Sequence, residues 1–215
     1  MKKLLIPLLC CLVAAWACNM EGSYSAQNVQ DIVTVAKGQL VNDNGVRYTI
    51  SDVYKDAPAL EEGKRYYIVF DILNINYDIS VRSVTPIQVI VPVPASDQEE
   101  ITAHDPIDVV FNWVGTSYLD LGYTYYYNEQ SNCAHDLLVR YNLTNGDSVL
   151  NLFLYHDGND ENPAAMAEKD LKTGTRIISI PVSQWNLSGV NLTMDVLIND
   201  GTGKYTVERQ TYSSH

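Results

Sequence analysis

The sequence predicts an all-β protein, with a small OB-like barrel followed by an antiparallel Ig-like β-sandwich that carries one short helix. Two observations predict this class. Short runs rich in Tyr, Ile and Val alternate with turn signals such as Asn42–Gly45 and Asn145-Gly146. A proline-containing and then acidic segment, 91–100, also changes the composition sharply and divides these runs into two groups.

The first seventeen residues are predicted to be an export signal. Lys2 and Lys3 precede an apolar run that is too short to span a bilayer, and Ala17 precedes Cys18. Two interpretations of Cys18 are open. It is either a lipidation site that anchors the mature chain to the bilayer, or the first residue of a soluble protein. We favour lipidation, since a lone cysteine at this position is otherwise hard to explain.

The mature chain is strongly acidic. The full sequence has a net charge of −12, and residues 1–17 contain two lysines and no acid, so their removal leaves −14. Such a surface repels phosphate backbones and anionic membranes, so nucleic acid is not expected as a partner and Cys18 is left as the bilayer anchor. We expect a lipoprotein of the cell envelope that faces inward rather than being displayed on the cell surface.

The mature chain divides into a polar tether at 18–30, a barrel at 31–94, a linker at 95–103 and a sandwich at 104–215. About five strands in the first unit favour a closed barrel, because short sheets must hide their edges. One of these β stretches, 79–93, is predicted to break at Pro86. Seven further strands at roughly 8–15 residue spacing favour a sandwich. They are predicted at 108–114, 118–127, 135–143, 149–156, 176–182, 192–198 and 205–211, with the short helix at 164–171.

Aromatic side chains form the best candidate binding surface. Alternation along a strand places Tyr123, Tyr125 and Tyr127 on one face. An exposed stripe of this kind binds sugar rings or a protein partner, whereas a buried stripe is sandwich core, and the sequence leaves both open. The predicted ligand-binding residues for a glycan or an envelope protein are Trp113, Tyr118, Tyr123, Tyr125 and Tyr127.

An acidic loop is a candidate for a weak calcium site, since calcium prefers carboxylate and amide oxygens in flexible segments. The alternative is a solvated acidic loop that binds nothing. Asn162 occupies the position where an EF-hand needs glycine, so that motif is disfavoured. No other cofactor is expected. The candidate ligands are Asp157, Asn159, Asp160, Glu161 and Glu168.

Histidine and aspartate are adjacent three times, beginning at His104, His135 and His156. Imidazole and carboxylate groups bind zinc or iron when three or four converge, so the alternative function is a metal-assisted hydrolase that uses His135, His156 and Asp160. The simpler interpretation is that these pairs are polar residues that close strands. The role of Cys133, two residues before His135, is open between a small packed side chain and a nucleophile.

The order of several motifs resembles the NigD-like family of Gram-negative envelope lipoproteins. This resemblance implies an N-terminal OB-type barrel, a C-terminal β-sandwich and no established catalytic activity, so it supplies no active-site residues. We therefore expect a non-catalytic binding or accessory module. The matching motifs are Gly63–Phe70, Tyr77–Ile79, Asn112–Gly115, Tyr118–Leu121 and His156–Asp160.

Overall fold

The structure is a computed structural model that describes residues 25–95, 105, 107–128, 134–144, 149–158, 171–185, 191–199 and 205–213. Its described helical segment is one turn of 3-10 helix, Ser183–Trp185. In this part of the chain, no helix has the length and apolar character needed to cross a membrane. The strands are β1 (Ala26–Ala36), β2 (Gln39–Asn42), β3 (Arg47–Val53), β4 (Arg65–Ile72), β5 (Asp78–Val89), β6 (Val93–Pro94), β7 (Ile107–Val114), β8 (Tyr118–Asn128), β9 (Asp136–Thr144), β10 (Val149–Asp157), β11 (Leu171–Pro181), β12 (Asn191–Asn199) and β13 (Tyr205–Ser213).

The first five strands form a closed barrel, and the predicted all-β fold is confirmed. They lie in the order β3-β2-β1-β4-β5, and β3 returns to pair in parallel with β5. Closure leaves no open barrel edge at this pairing, which is how a short sheet avoids exposing unpaired backbone groups. Inward-facing residues of alternating positions fill the interior, including Val33, Leu40, Ile68, Phe70 and Ile79.

The first strand begins earlier than the sequence predicts. β1 starts at Ala26, inside the segment 18–30 predicted as a tether, and pairs with β4 from Ile72 onwards. The β1–β4 register shifts between Ala26 and Val29, and the backbone N–H of Asn28 donates to the Asp71 carboxylate at 2.9 Å. Polar residues can form this strand because β4 supplies the backbone partners.

The sandwich packs one face of β7, β8 and β11 against β9, β10 and β12. Its core is aliphatic and fully closed at the centre, where Leu121 and Ile178 meet Leu152 and Val139. Most pairings are antiparallel, as predicted, but β10 pairs in parallel with β12 over six residue pairs. The predicted helix at 164–171 lies outside the described residues, except for Leu171, which begins β11.

The barrel and the sandwich share one eight-stranded sheet. β5 continues into it by pairing in parallel with β11 at only two positions, Gln88 with Ile178 and Val89 with Ser179. Ile90 already packs in the sandwich core, and β6 pairs with β9 in the second sheet. The chain therefore crosses to the sandwich before the predicted boundary at 94.

β5 runs through Pro86 without interruption, so the predicted break is wrong. Pro86 keeps its place opposite Tyr66 of β4. The N–H and C=O groups of one strand residue point to the same side of the strand. Those of Ile90 point to β11, because its N–H donates to the Ser179 carbonyl at 2.9 Å. By alternation, the N–H that Pro86 lacks would also face β11. The β4 ladder loses no hydrogen bond, which is why the strand tolerates this proline.

Candidate functional site

Two of the predicted histidines meet in the structure. His135 precedes β9 and His156 lies near the end of β10, and the hairpin register places Leu137 opposite His156. His135 Nδ1 and His156 Nε2 are 3.2 Å apart, and both side chains are buried. The two rings are parallel within 9°, with centroids 5.2 Å apart, so the facing nitrogens lie between the ring centres.

This geometry is that of a shared N–H hydrogen bond. Among the described residues, no three His, Cys, Asp or Glu side chains cluster as a metal site. His104 and Asp160 lie outside the described residues. Burial lowers the pKa of His156, and the neighbouring His135 acts in the same direction, so neutral imidazole is favoured.

The tyrosine stripe faces inward. Tyr123 is 1% exposed and lies in the sandwich core, and Tyr125 and Tyr127 are partly buried against the His135 ring. Of the two alternatives that the sequence left open for Tyr123, Tyr125 and Tyr127, the structure has the buried stripe, packed with the sandwich core. The inward face of β8 is the one that carries Leu119 and Leu121, and alternation sends these tyrosines to the same side.

The other predicted site residues that the structure describes lie at the surface or at the junction with the barrel. Trp113 is 41% exposed on the outer face of β7. Tyr118 lies beneath a guanidinium, with Arg65 Cζ 3.8 Å from its ring centroid. Asp157 is exposed at the end of β10, whereas Asn159, Asp160, Glu161 and Glu168 of the calcium candidate fall outside the described residues, as do Cys18 and Cys133.

A buried arginine joins the two units. Arg65 of β4 donates to the Asp120 carboxylate at 2.9 and 3.0 Å and to the Asp43 carboxylate at 2.8 and 3.1 Å. Its Nε donates to Ser179 Oγ at 2.9 Å. Burial raises the pKa of Asp120, and the Arg65 charge opposes that shift. This network has a structural role, because the charge of Arg65 is paired with the carboxylates of Asp43 and Asp120.

An outer groove lies where the barrel leaves the sandwich sheet. It has a volume of about 400 Å³, which is within the range of small-ligand sites. Among the described residues, its lining combines an aromatic ring, neutral polar side chains and one arginine, and contains no carboxylate. The lining residues are Tyr67, Thr85, Pro86 and Gln88 on the barrel side, with Thr175, Arg176 and Ile177 on β11.

The same outer face continues to the edge strand β7. Ile177 lies opposite Gly122 of β8, which in turn lies opposite Phe111 of β7. A Cβ at Gly122 would come within 2.2 Å of the Phe111 ring, so that ring covers the glycine. Phe111 and Trp113 alternate on the exposed side of β7, and Val110 is 60% exposed beside them. The groove and this apolar edge form one continuous outer surface.

The family of this chain follows from the sandwich segment. The family model described as the NigD-like C-terminal beta sandwich domain matches residues 89–205, which is more than half of the chain. The protein belongs to the NigD-like family. The match begins at Val89, where β5 of this NigD-like protein pairs with β11.

Solved structures share this architecture over nearly the whole chain. A NigD-like immunity protein from Bacteroides caccae has a TM-score of 0.62 and 19% identity, covering 88% of this chain and 98% of that one. A protein of unknown function from Bacteroides vulgatus has a TM-score of 0.67 and 16% identity, covering 86% and 90%. A candidate lipoprotein from Bacteroides fragilis has a TM-score of 0.62 and 15% identity, covering 88% and 99%. These likenesses establish the fold alone. No curated protein matches the sequence.

Sequence reasoning missed most of the outer groove of this NigD-like protein. Tyr67 was visible only as part of a β-rich run, and Thr85, Gln88 and Thr175 carry no motif. The sequence did contain a signal for Phe111, because apolar Phe111 and Trp113 stand on either side of polar Asn112, which is the alternation of a strand. What brings these residues together is the β5–β11 pairing, which no local pattern encodes.

Proposed function

We propose that this NigD-like protein is a non-catalytic binding protein of the Gram-negative envelope, anchored to the bilayer through Cys18. Its ligand, an envelope protein or a glycan, docks on the outer surface formed by the groove and the β7 edge. The observation that carries the proposal is the exposure of Val110, Phe111 and Trp113 side by side on one edge strand. Exposed apolar patches on soluble domains are typical of interaction sites.

The chemistry of the described residues supports binding rather than catalysis. His135 and His156 use their facing nitrogens on each other, and Arg65 is held by two carboxylates. The outer surface offers an indole ring, a phenyl ring and neutral hydrogen-bonding groups. Such groups bind a ligand by contact and hydrogen bonding and do not exchange protons with it. The names of two structural neighbours, an immunity protein and a candidate lipoprotein, agree with an accessory role at the envelope.

Site-specific photo-crosslinking in living cells tests the docking surface. A photoreactive benzoylphenylalanine replaces Trp113 in one strain and Arg209 in another. Arg209 is the matched control, because its side chain is 68% exposed and lies on β13 of the other sheet. We expect a discrete crosslinked protein, or protection by added envelope glycans, at position 113 only. Equal crosslinking at both positions would contradict the proposal.

Fractionation tests the anchor. Cys18→Ala should move the protein from the membrane fraction to the soluble fraction, whereas Cys133→Ala should leave its distribution unchanged. Membrane retention of Cys18→Ala at the wild-type level would show that another feature anchors the chain.

A further inference from the structure

The outer groove is a wedge between two strands that pair only at its apex. β5 and β11 pair in parallel at Gln88–Ile178 and Val89–Ser179, and then diverge towards Thr85 and Thr175. On its other side β11 pairs with β8 without interruption, from Leu171 to Pro181. Among the described strands, the β5-facing edge of β11 therefore has no ladder partner before the apex.

The open edge presents backbone groups at regular intervals. The Ser179 carbonyl accepts from Ile90 N at 2.9 Å, so Ser179 directs its backbone groups towards β5. The β11–β8 register has no bulge, so Ile177, Thr175 and Thr173 direct their N–H groups to the same side. The N–H and C=O groups of Thr175 and Thr173 point into the wedge, and no described residue takes them. They repeat every two residues in the plane of the sheet.

Pro86 is the reason that the wedge stays open. The next step of the parallel ladder would place Arg176 opposite Pro86, with the Thr175 carbonyl accepting from the N–H of residue 86. Proline has no N–H, so this bond cannot form and the two strands separate there. The barrel and the sandwich thus keep a slot between two strand edges, where a residue with an N–H would close it.

We propose that this slot binds an extended, positively charged peptide segment of an envelope protein, which adds a strand to the open edge of β11. The inference rests on the proposed function and names its partner class. Unpaired N–H and C=O groups with a two-residue repeat match the backbone of another strand, and such main-chain bonds provide affinity in strand addition. A glycan backbone repeats too, but it lacks the paired N–H and C=O groups that a strand edge bonds.

Charge and side chains define the peptide further. Among the described residues, the lining of the slot contains no carboxylate and one charged side chain, Arg176. Its guanidinium is directed towards the sandwich, where Nη1 donates to the His135 carbonyl at 2.7 Å and Cζ lies 5.2 Å from the Tyr125 ring centroid. The mature protein as a whole carries −14, which attracts a cationic segment and steers its approach. Tyr67 lies at the barrel wall and offers an aromatic contact for one peptide side chain.

Selection from a random 12-residue peptide library displayed on phage tests the slot. The library is selected on the wild-type protein, and each enriched peptide is then tested on Pro86→Ala, which restores the N–H that the next bond of the ladder needs. We expect enriched peptides with net positive charge that bind Pro86→Ala at least tenfold more weakly than wild type. Thr175→Val is the matched control, because it keeps the backbone and the shape of the side chain, and it should bind like wild type.

Amide exchange shows whether the slot has closed and where the peptide lies. In Pro86→Ala the Ile177 N–H should exchange more slowly, since closure lets it donate to the carbonyl of residue 86. In wild type, bound peptide should slow exchange at Thr175 and Thr173. If the Ile177 N–H exchanges as fast in Pro86→Ala as in wild type, that variant has not closed the slot. Backbone N-methylation of the selected peptides is then the test, and it should weaken their binding at least tenfold.

The contrary results are equally defined. Failure to enrich any peptide, or peptides whose binding survives N-methylation, overturns the inference. Protection of Thr175 by soluble peptidoglycan or glucan fragments, with no peptide effect, overturns it in favour of a glycan site. A partner crosslinked at Trp113 in the absence of slot-binding peptides removes this inference alone, and the proposed function stands.

Discussion

Arg65 and Asp120, fifty-five residues apart, form a buried ion pair in which one guanidinium nitrogen contacts both carboxylate oxygens, at 2.9 and 3.0 Å. Arg65 belongs to the barrel and Asp120 to the sandwich, and both are almost fully buried. The Ser179 hydroxyl also donates to Asp120, and Tyr118 covers the guanidinium. The junction therefore depends on a charge network rather than on apolar packing alone.

Removal of Arg65 should destabilise the protein strongly. Arg65→Met leaves Asp120 and Asp43 without their counter-ion, and breaking a buried pair in this way costs about 3–5 kcal/mol. Arg209→Met removes an exposed pair with Asp195 and is expected to change the urea midpoint little. Chemical denaturation of both variants measures the difference. Equal midpoints would show that the buried network contributes no more than a surface pair.

Two Tyr→Phe substitutions should have opposite effects. The Tyr123 hydroxyl is buried and makes no well-aligned hydrogen bond among the described residues, with the Arg176 guanidinium as its charged neighbour. Tyr123→Phe should therefore leave stability unchanged or raise it by up to about 1 kcal/mol. The Tyr48 hydroxyl donates to the Asp31 carboxylate at 2.7 Å, so Tyr48→Phe should cost roughly 1.5–3 kcal/mol. Urea unfolding measures both. A loss of stability in Tyr123→Phe comparable to that in Tyr48→Phe would mean that the Tyr123 hydroxyl is engaged.

Gly122 and Phe111 should be energetically coupled. A methyl group at position 122 would lie 2.2–2.8 Å from three carbons of the Phe111 ring, so Gly122→Ala must displace that ring, at about 1–3 kcal/mol. In a Phe111→Ala background the same substitution should cost much less. A double-mutant cycle on thermal unfolding measures the coupling. Additive effects would mean that the ring does not occupy this position in solution.

Acidification should destabilise the His135–His156 end of the sandwich. Burial lowers the pKa of His156 below its ordinary value of 6.5, so the unfolded chain takes up its proton at a higher pH than the folded chain. The contribution of His156 to stability is then complete above about pH 6.5 and declines as the pH falls towards the folded pKa. The melting temperature, measured from pH 7.5 to 5.5, should fall less steeply in His156→Gln. Identical slopes would assign the pH dependence to other groups.

The sequence predicted the presence of the strands better than the residues at which they begin and end. Alternation identified β7, β8 and β10 within one residue of their observed ends, because their apolar residues face a core. The start of β1 at Ala26 and the continuity of β5 at Pro86 were missed. Both depend on which neighbour supplies or needs a backbone hydrogen bond, and that is a tertiary property.

The candidate site was less predictable than the fold. Trp113 was selected from its residue type and is exposed, whereas Tyr123 was selected by the same reasoning and is buried. His135 and His156 were named together, but their 3.2 Å contact depends on the β9–β10 register, which a turn signal alone does not fix. The slot could not be found from the sequence, because it lies where β5 and β11 diverge beyond their two paired positions, and no local pattern encodes that pairing.

The early start of β1 limits how far the protein can reach. Ala26 is eight positions after Cys18, and even a fully extended chain covers less than about 30 Å over that length. If Cys18 carries the proposed lipid, this segment keeps the barrel within about 30 Å of the headgroups. A partner would then have to reach the membrane surface, or already reside there.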